Sequence, residues 1–134
     1  MNEAKEWIEA KEKGEKKTTS CCPAFKNYIE KHFPTLKDAI SETVSPMCAA
    51  SRYIKEKFPG AVTVFIGPCI AKKAESMSGE KDTADYALTY GEIRAMLRAK
   101  GVKLEPEEDT DDQGSIYGKK FANAGGVTAA VLEV

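Results

Sequence analysis

Histidine is almost missing from this 134-residue chain, His32 being the only one. The four cysteines, Cys21, Cys22, Cys48 and Cys69, form no Cys-x-x-Cys pair, so a structural zinc site has little to build on. They are also too few for a disulfide-built scaffold, and they suit a reducing cytoplasm. No sign of charge is in excess, because 20 basic and 21 acidic side chains leave a net charge of -1. A chain without a basic surplus is not expected to bind nucleic acid. Long apolar runs are absent as well. The longest, Ala61 to Ile66, falls far short of the roughly 20 residues that span a bilayer, so no membrane span is expected. The N-terminus is charged from Glu3 onward and lacks the apolar core of a secretion signal. What is present is ordinary globular composition, 42% hydrophobic and 31% charged, over a length that suits one domain, taken as 1–134.

Periodicity then divides the chain. Ala4, Trp7, Ile8 and Lys11 recur at helical spacing between Glu3 and Lys13, and Gly14 stands just past the last turn. Thr18 to Ser20 is a short β-prone run. Pro23 suits the first position of a second helix with Ala24, Phe25, Tyr28, Ile29 and His32 or Phe33 on its apolar face, ended by Pro34. A short segment, Leu36 to Ile40, follows. Ser45-Pro46 starts a third helix, with Ala49, Ala50, Tyr53, Ile54 and Phe58 as its inward face, broken by Pro59-Gly60. Ala61 to Ile66 reads as a strand buried on both faces of a parallel sheet, Tyr86 to Thr89 as a second strand, and Glu92 to Lys100 as a helix stopped by Gly101. Val102 to Leu104 is a further strand candidate, Glu105 to Asp112 an acidic solvated loop, and Val127 to Val134 a last helix after Gly125-Gly126. Alternating strands and helices predict an α/β fold, a small and mainly parallel sheet flanked by helices. Helical patterns that start at residue 3 and run to Val134 without a cap suggest a piece of a larger protein.

Two cysteine segments fall where α/β sheets bind ligands, beyond the carboxyl ends of strands. Cys22 sits at the mouth of the helix opened by Pro23, where the dipole and unpaired N–H groups favour a thiolate. Cys69 follows the first strand through Gly67-Pro68, with Lys72 and Lys73 close behind. Lysine is costly to bury alone, so Lys72 calls for a charged partner. Two plainer readings stand beside this one. Free cysteines often serve as small buried hydrophobes, and Lys72 with Glu75, at i, i+3, is the spacing of an ordinary surface pair. A Cys21–Cys22 redox pair would need a strained ring.

The residues resemble a known family at this point. Thr19-Ser20-Cys21-Cys22-Pro23-Ala24-Phe25 is similar to the first signature of the active-site domain of [FeFe] hydrogenases, the iron-only hydrogenase large subunit. Pro68-Cys69-Ile70-Ala71-Lys72-Lys73-Ala74-Glu75 is similar to the second, P-C-x-x-K-K-x-E. Weaker similarity covers nearly the whole chain, through Ser41, Ser45-Pro46, Asp85 to Thr89, Glu92 and Phe121 to Ala130. The resemblance implies one lobe of that domain. It also implies a [4Fe-4S] cubane joined to a two-iron subsite, together the H-cluster, in the intact parent. Cys22 and Cys69 would be metal ligands of the cubane. Cys21 would be the thiol passing protons to the subsite, and Lys72 would face one of its cyanides. Glu75 would belong to the same cofactor-binding motif, paired with a neighbouring cation. Glu3, Glu6 and Ser41 would carry protons from solvent, since transfer needs closely spaced titratable groups. Glu3 and Glu6 also suit a first helical turn on dipole grounds alone.

Departures from the family pattern carry their own expectations. Gly67 stands where a methionine is usual, Met47-Cys48 lacks a polar side chain that would face a cyanide, and Ala10 replaces an arginine of the outer proton path. Such changes resemble divergent or sensory members. The third cysteine signature, with two more ligands, is not in the 134 residues. A cubane takes four thiolates, so the chain alone is expected to hold no cluster and to be inactive. Its partners would then be the remainder of the hydrogenase domain and, for the parent, a ferredoxin-type electron carrier. The parent would be an oxidoreductase interconverting protons and dihydrogen. A hydrogen-sensing regulatory protein and an iron-sulfur assembly relative are the alternatives, the latter at odds with the double cysteine and Lys72.

Overall fold

The structure, a computed structural model, describes residues 2–105 and 125–132, without the side chains of Asn2, Glu3, Val127, Ala130 and Val131. Helices begin and end largely where the sequence supplies local signals. Helix α1 spans Asn2–Glu12 and closes at Gly14, whose φ of 71° takes the chain out of the helix. Pro23 opens α2, Pro23–His32, and Pro34 ends it by starting a 3-10 turn, Pro34–Ala39. Ser45 caps α3, Pro46–Lys57, accepting from the Cys48 N–H while Pro46 takes the first turn. There follow β1, Val64–Gly67, α4, Ala71–Ser76, β2, Tyr86–Thr89, and α5, Tyr90–Ala99. The last element is α6, Gly126–Leu132.

Strands β1 and β2 pair in parallel, from Val64 opposite Tyr86 to Gly67 opposite Thr89, with α4 between them in sequence. The fold is therefore α/β, a small parallel sheet with helices. Parallel pairing brings both carboxyl ends to one end of the sheet, so Pro68-Cys69 and the start of α5 lie there together.

Several expectations need correction. The first strand begins at Val64 rather than Ala61, because the Asp85 carboxylate takes both the N–H and the hydroxyl of Thr63, at 2.7 and 2.9 Å, before the ladder starts. Nor is it buried on both faces, since Val64 and Ile66 are 48% and 46% exposed. In α3 the inward face is Met47, Cys48 and Ser51, while Ala49, Ala50, Tyr53, Ile54 and Phe58 face outward. The interior there is mixed: beside Met47 and Cys48, Ser51 and Thr63 hydrogen-bond at 2.9 Å, a partnership that apolar periodicity does not encode. Val102 to Leu104 is not a strand; after Gly101 turns at φ 71°, the Val102 N–H folds back onto the Leu97 carbonyl at 2.9 Å. In α2 only Ile29 of the expected face is buried. The acidic run beyond Glu105 and the segment from Phe121 to Ala124 lie outside the described residues.

Two compact units are distinguishable. In one, residues 2–20, 28–43 and 125–132, α1 packs against α6 with Ala4 and Ala10 buried, and Thr18 makes a parallel bridge with Ile40. The other, Cys21–Asn27 with Val44–Glu105, holds the sheet, with α4 and α5 against β2.

Candidate functional site

The second unit assembles both cysteine motifs. Helix α4 starts two residues after Cys69, with the Lys72 N–H on the Cys69 carbonyl at 3.3 Å, and this turn sends the Lys72 side chain inward. Its ammonium donates to Glu75 Oε2 at 2.6 Å and to the Cys21 carbonyl at 3.2 Å. The side chains are only 11% and 9% exposed, so this is no surface pair. Burying two charges is costly unless their remaining valences are met. That of Glu75 is met here, because its Oε1 accepts from the Ser45 hydroxyl. That hydroxyl in turn accepts from the Cys48 N–H at 3.2 Å. An ammonium has three N–H donors; two are used among the described residues, which leaves the third for a further acceptor.

The four cysteines differ sharply in setting, and no disulfide joins them. Cys22 and Cys69 are exposed and Cys21 is half-buried. Cys48 is fully buried, with Sγ 3.7 Å from Glu80 Oε1. Burial first, and the Glu80 carboxylate second, push the Cys48 thiol above its ordinary range, which suits a structural residue and not a thiolate ligand. Among the described residues no group of three or more histidine, cysteine or acidic side chains is placed to hold a metal ion. The exposed thiols of Cys22 and Cys69 would supply two of the four thiolates a [4Fe-4S] cubane takes, so the residues present fit part of that site.

Neighbouring side chains fix the motif's geometry. Lys73, unlike Lys72, points to Glu92, whose other oxygen accepts from the Thr89 N–H and hydroxyl at 2.8 and 2.9 Å to cap α5. The Lys73 ammonium first, then the Thr89 N–H, holds Glu92 down to about 2. Adjacent lysines of α4 thus serve different partners. At Gly67 a Cβ would lie 2.7 Å from the Phe65 ring, so the room a methionine side chain would need is filled by that ring.

In the first unit, Glu6 and Ser41 meet. The Ser41 hydroxyl donates to Glu6 Oε2 at 2.5 Å, the Glu42 N–H to Oε1 at 3.0 Å and the Thr43 hydroxyl to Oε2 at 2.9 Å. Burial alone would raise the Glu6 pKa; the Ser41, Glu42 and Thr43 donors outweigh it, with Lys17 assisting, and the carboxyl sits below its usual range. Glu6, Ser41, Lys17 and Trp7 line a cleft of about 300 Å³. Thr43 and Lys17 had no sequence signal, since both reach Glu6 across a long separation. Glu3 lies in α1, its side chain outside the described residues. Ser45 was legible only as a helix start; its bond to Glu75 was not.

A buried lysine thus ties a helix-mouth cysteine pair to a strand-end cysteine motif. The chain matches the family described as iron only hydrogenase large subunit, C-terminal domain, over residues 1–134, and it belongs to that family. It is 34% identical over 131 residues to the periplasmic [Fe] hydrogenase large subunit of Nitratidesulfovibrio vulgaris, covering 86% of this chain and 31% of that protein. It is 30% identical over 133 residues to the NADP-reducing hydrogenase subunit HndD of Solidesulfovibrio fructosivorans, covering 85% of this chain and 23% of that protein. The chain therefore spans a third or less of the length of these curated relatives. Among the described residues no helix is long and apolar enough to cross a membrane.

Proposed function

We propose that this chain forms one part of a hydrogenase active-site domain, in which Cys22 and Cys69 hold a [4Fe-4S] cubane and other parts of the parent supply the remaining ligands. The observation that carries the reading is the Lys72 ammonium on the Cys21 carbonyl, which ties the segment bearing Cys69 to the Cys21-Cys22 loop. When bound, the H-cluster supplies the iron at which protons and electrons interconvert with dihydrogen. Lys72 then presents its third N–H to an anionic ligand, held in aim by Glu75 and the Cys21 carbonyl. Cys21 would carry the exchangeable thiol proton for that chemistry. Glu6 and Ser41, with Glu3, form an outer proton station, where the Ser41 hydroxyl and the Glu6 carboxylate are in direct hydrogen-bond contact. Electrons come to the parent from a ferredoxin-type carrier in a cytoplasmic setting.

Anaerobic titration of the full chain with Cd²⁺, read by thiolate-to-metal charge-transfer absorption, tests the shared thiol site. Cys22→Ser and Cys69→Ser each lose the signal, and Cys48→Ser retains it. Equal binding by all three variants overturns the reading. After cluster maturation, and with a reduced viologen, the chain by itself evolves no dihydrogen; evolution by this chain alone would show that it needs no further ligands.

A further inference from the structure

We infer that Ser45 is a positioning residue for Lys72, acting through Glu75. The inference rests on the proposed function, in which Lys72 is the cation beside the cysteine motifs. A serine hydroxyl has one proton to donate and lone pairs to accept with. At Ser45 the proton goes to Glu75 Oε1, because a carboxylate can only accept, and a lone pair takes the Cys48 N–H. Both capacities are used. Glu75 is therefore anchored at one oxygen to the start of α3 while its other oxygen holds the Lys72 ammonium at 2.6 Å. Without that anchor the carboxylate can rotate about its last side-chain bonds, and the ammonium loses one of its two fixed acceptors, leaving only the Cys21 carbonyl at 3.2 Å. The chain Ser45–Glu75–Lys72–Cys21 thus joins α3, α4 and the first cysteine motif in a single line of hydrogen bonds, all within one compact unit.

Capping α3 is the plainer role for Ser45, and the variants separate the two. Glycine costs an N-cap only a little relative to serine, so Ser45→Gly keeps the helix start while removing the hydroxyl, and with it the donor to Glu75 and the acceptor of the Cys48 N–H. Threonine restores both capacities. The experiment measures the rate at which an amine-acylating reagent modifies Lys72 in the full chain, by peptide mass spectrometry. Lys55, paired with Asp85 at 2.9 Å in the same unit, is the internal control for general loosening. Positioning predicts a several-fold rise at Lys72 in Ser45→Gly and in Glu75→Gln, an unchanged rate at Lys55, and return to the parental rate in Ser45→Thr. An unchanged Lys72 rate in Ser45→Gly, or a rise shared equally by Lys55, overturns the inference. No metal is present in this experiment. Failure of the cluster reading in the Cd²⁺ titration therefore leaves its outcome intact, and a negative labelling result stands even where both thiols bind metal.

Discussion

Replacing Glu75 by alanine distinguishes a buried charge network from a helical surface pair by size alone. An exposed i, i+3 pair contributes about 0–1 kcal/mol. Breaking a buried pair costs about 3–5 kcal/mol, because the surviving charge is left without its partner. The structure puts this pair in the second class: the side chains are 11% and 9% exposed, and Lys72 would keep only the Cys21 carbonyl. The Ser45 hydroxyl would lose its acceptor as well. With a urea slope of about 1.5 kcal/mol per molar, such a loss lowers the midpoint by about 2–3 M. Equilibrium urea unfolding followed by far-ultraviolet circular dichroism provides the measurement. Since domains are stable by only about 5–15 kcal/mol, the Lys72→Met/Glu75→Leu double variant is the necessary companion. It leaves no unpaired charge and recovers most of the loss. A Glu75→Ala midpoint within about 0.7 M of the parent would correspond to at most about 1 kcal/mol and would refute the buried-network reasoning.

Two further outcomes follow from groups around the sheet. Lys55 first, then the Thr63 N–H, holds Asp85 at about 2 against an ordinary 3.8, and Glu92 sits at about 2 against 4.5. Both folded-state values lie below the unfolded ones, so the unfolded chain takes up more protons in this window. Their stabilisation is present above about pH 4.5 and lost as pH falls toward 2. The Asp85→Asn/Glu92→Gln variant flattens that acid limb of an unfolding titration, and an unaltered limb would count against both assignments. Thr89→Ala removes the capping box of α5 and costs about 1 kcal/mol in urea unfolding, with faster hydrogen exchange at the Glu92 amide. Unchanged exchange there would show that the cap does not hold the helix start.

Local signals made much of the molecule legible. Pro23, Pro34, Ser45-Pro46, Gly14 and Gly101 act within a turn of themselves, through a missing N–H, a capping hydroxyl or a positive φ. They marked where helices start and stop. The two cysteine signatures identified the family because they are contiguous strings. The inward face of α3 was misjudged for a different reason. Its apolar residues have a helical period, but the neighbours in the second unit present Thr63 and Glu75, and the helix turns Ser51 and the Ser45 cap toward them. Polar complementarity overrode hydrophobic spacing.

By itself the sequence determined most of the helices and the two paired strands, the α/β class and the membership in the iron-only hydrogenase family. Tertiary structure alone decided what Lys72 binds, why Gly67 leaves no space beside Phe65, and that Glu6 meets Ser41. The physical reason is reach. Capping and periodicity are written within one or two turns of the chain. A hydrogen bond from position 72 to position 21, or from 45 to 75, exists only after the backbone has brought distant segments within about 3 Å of one another.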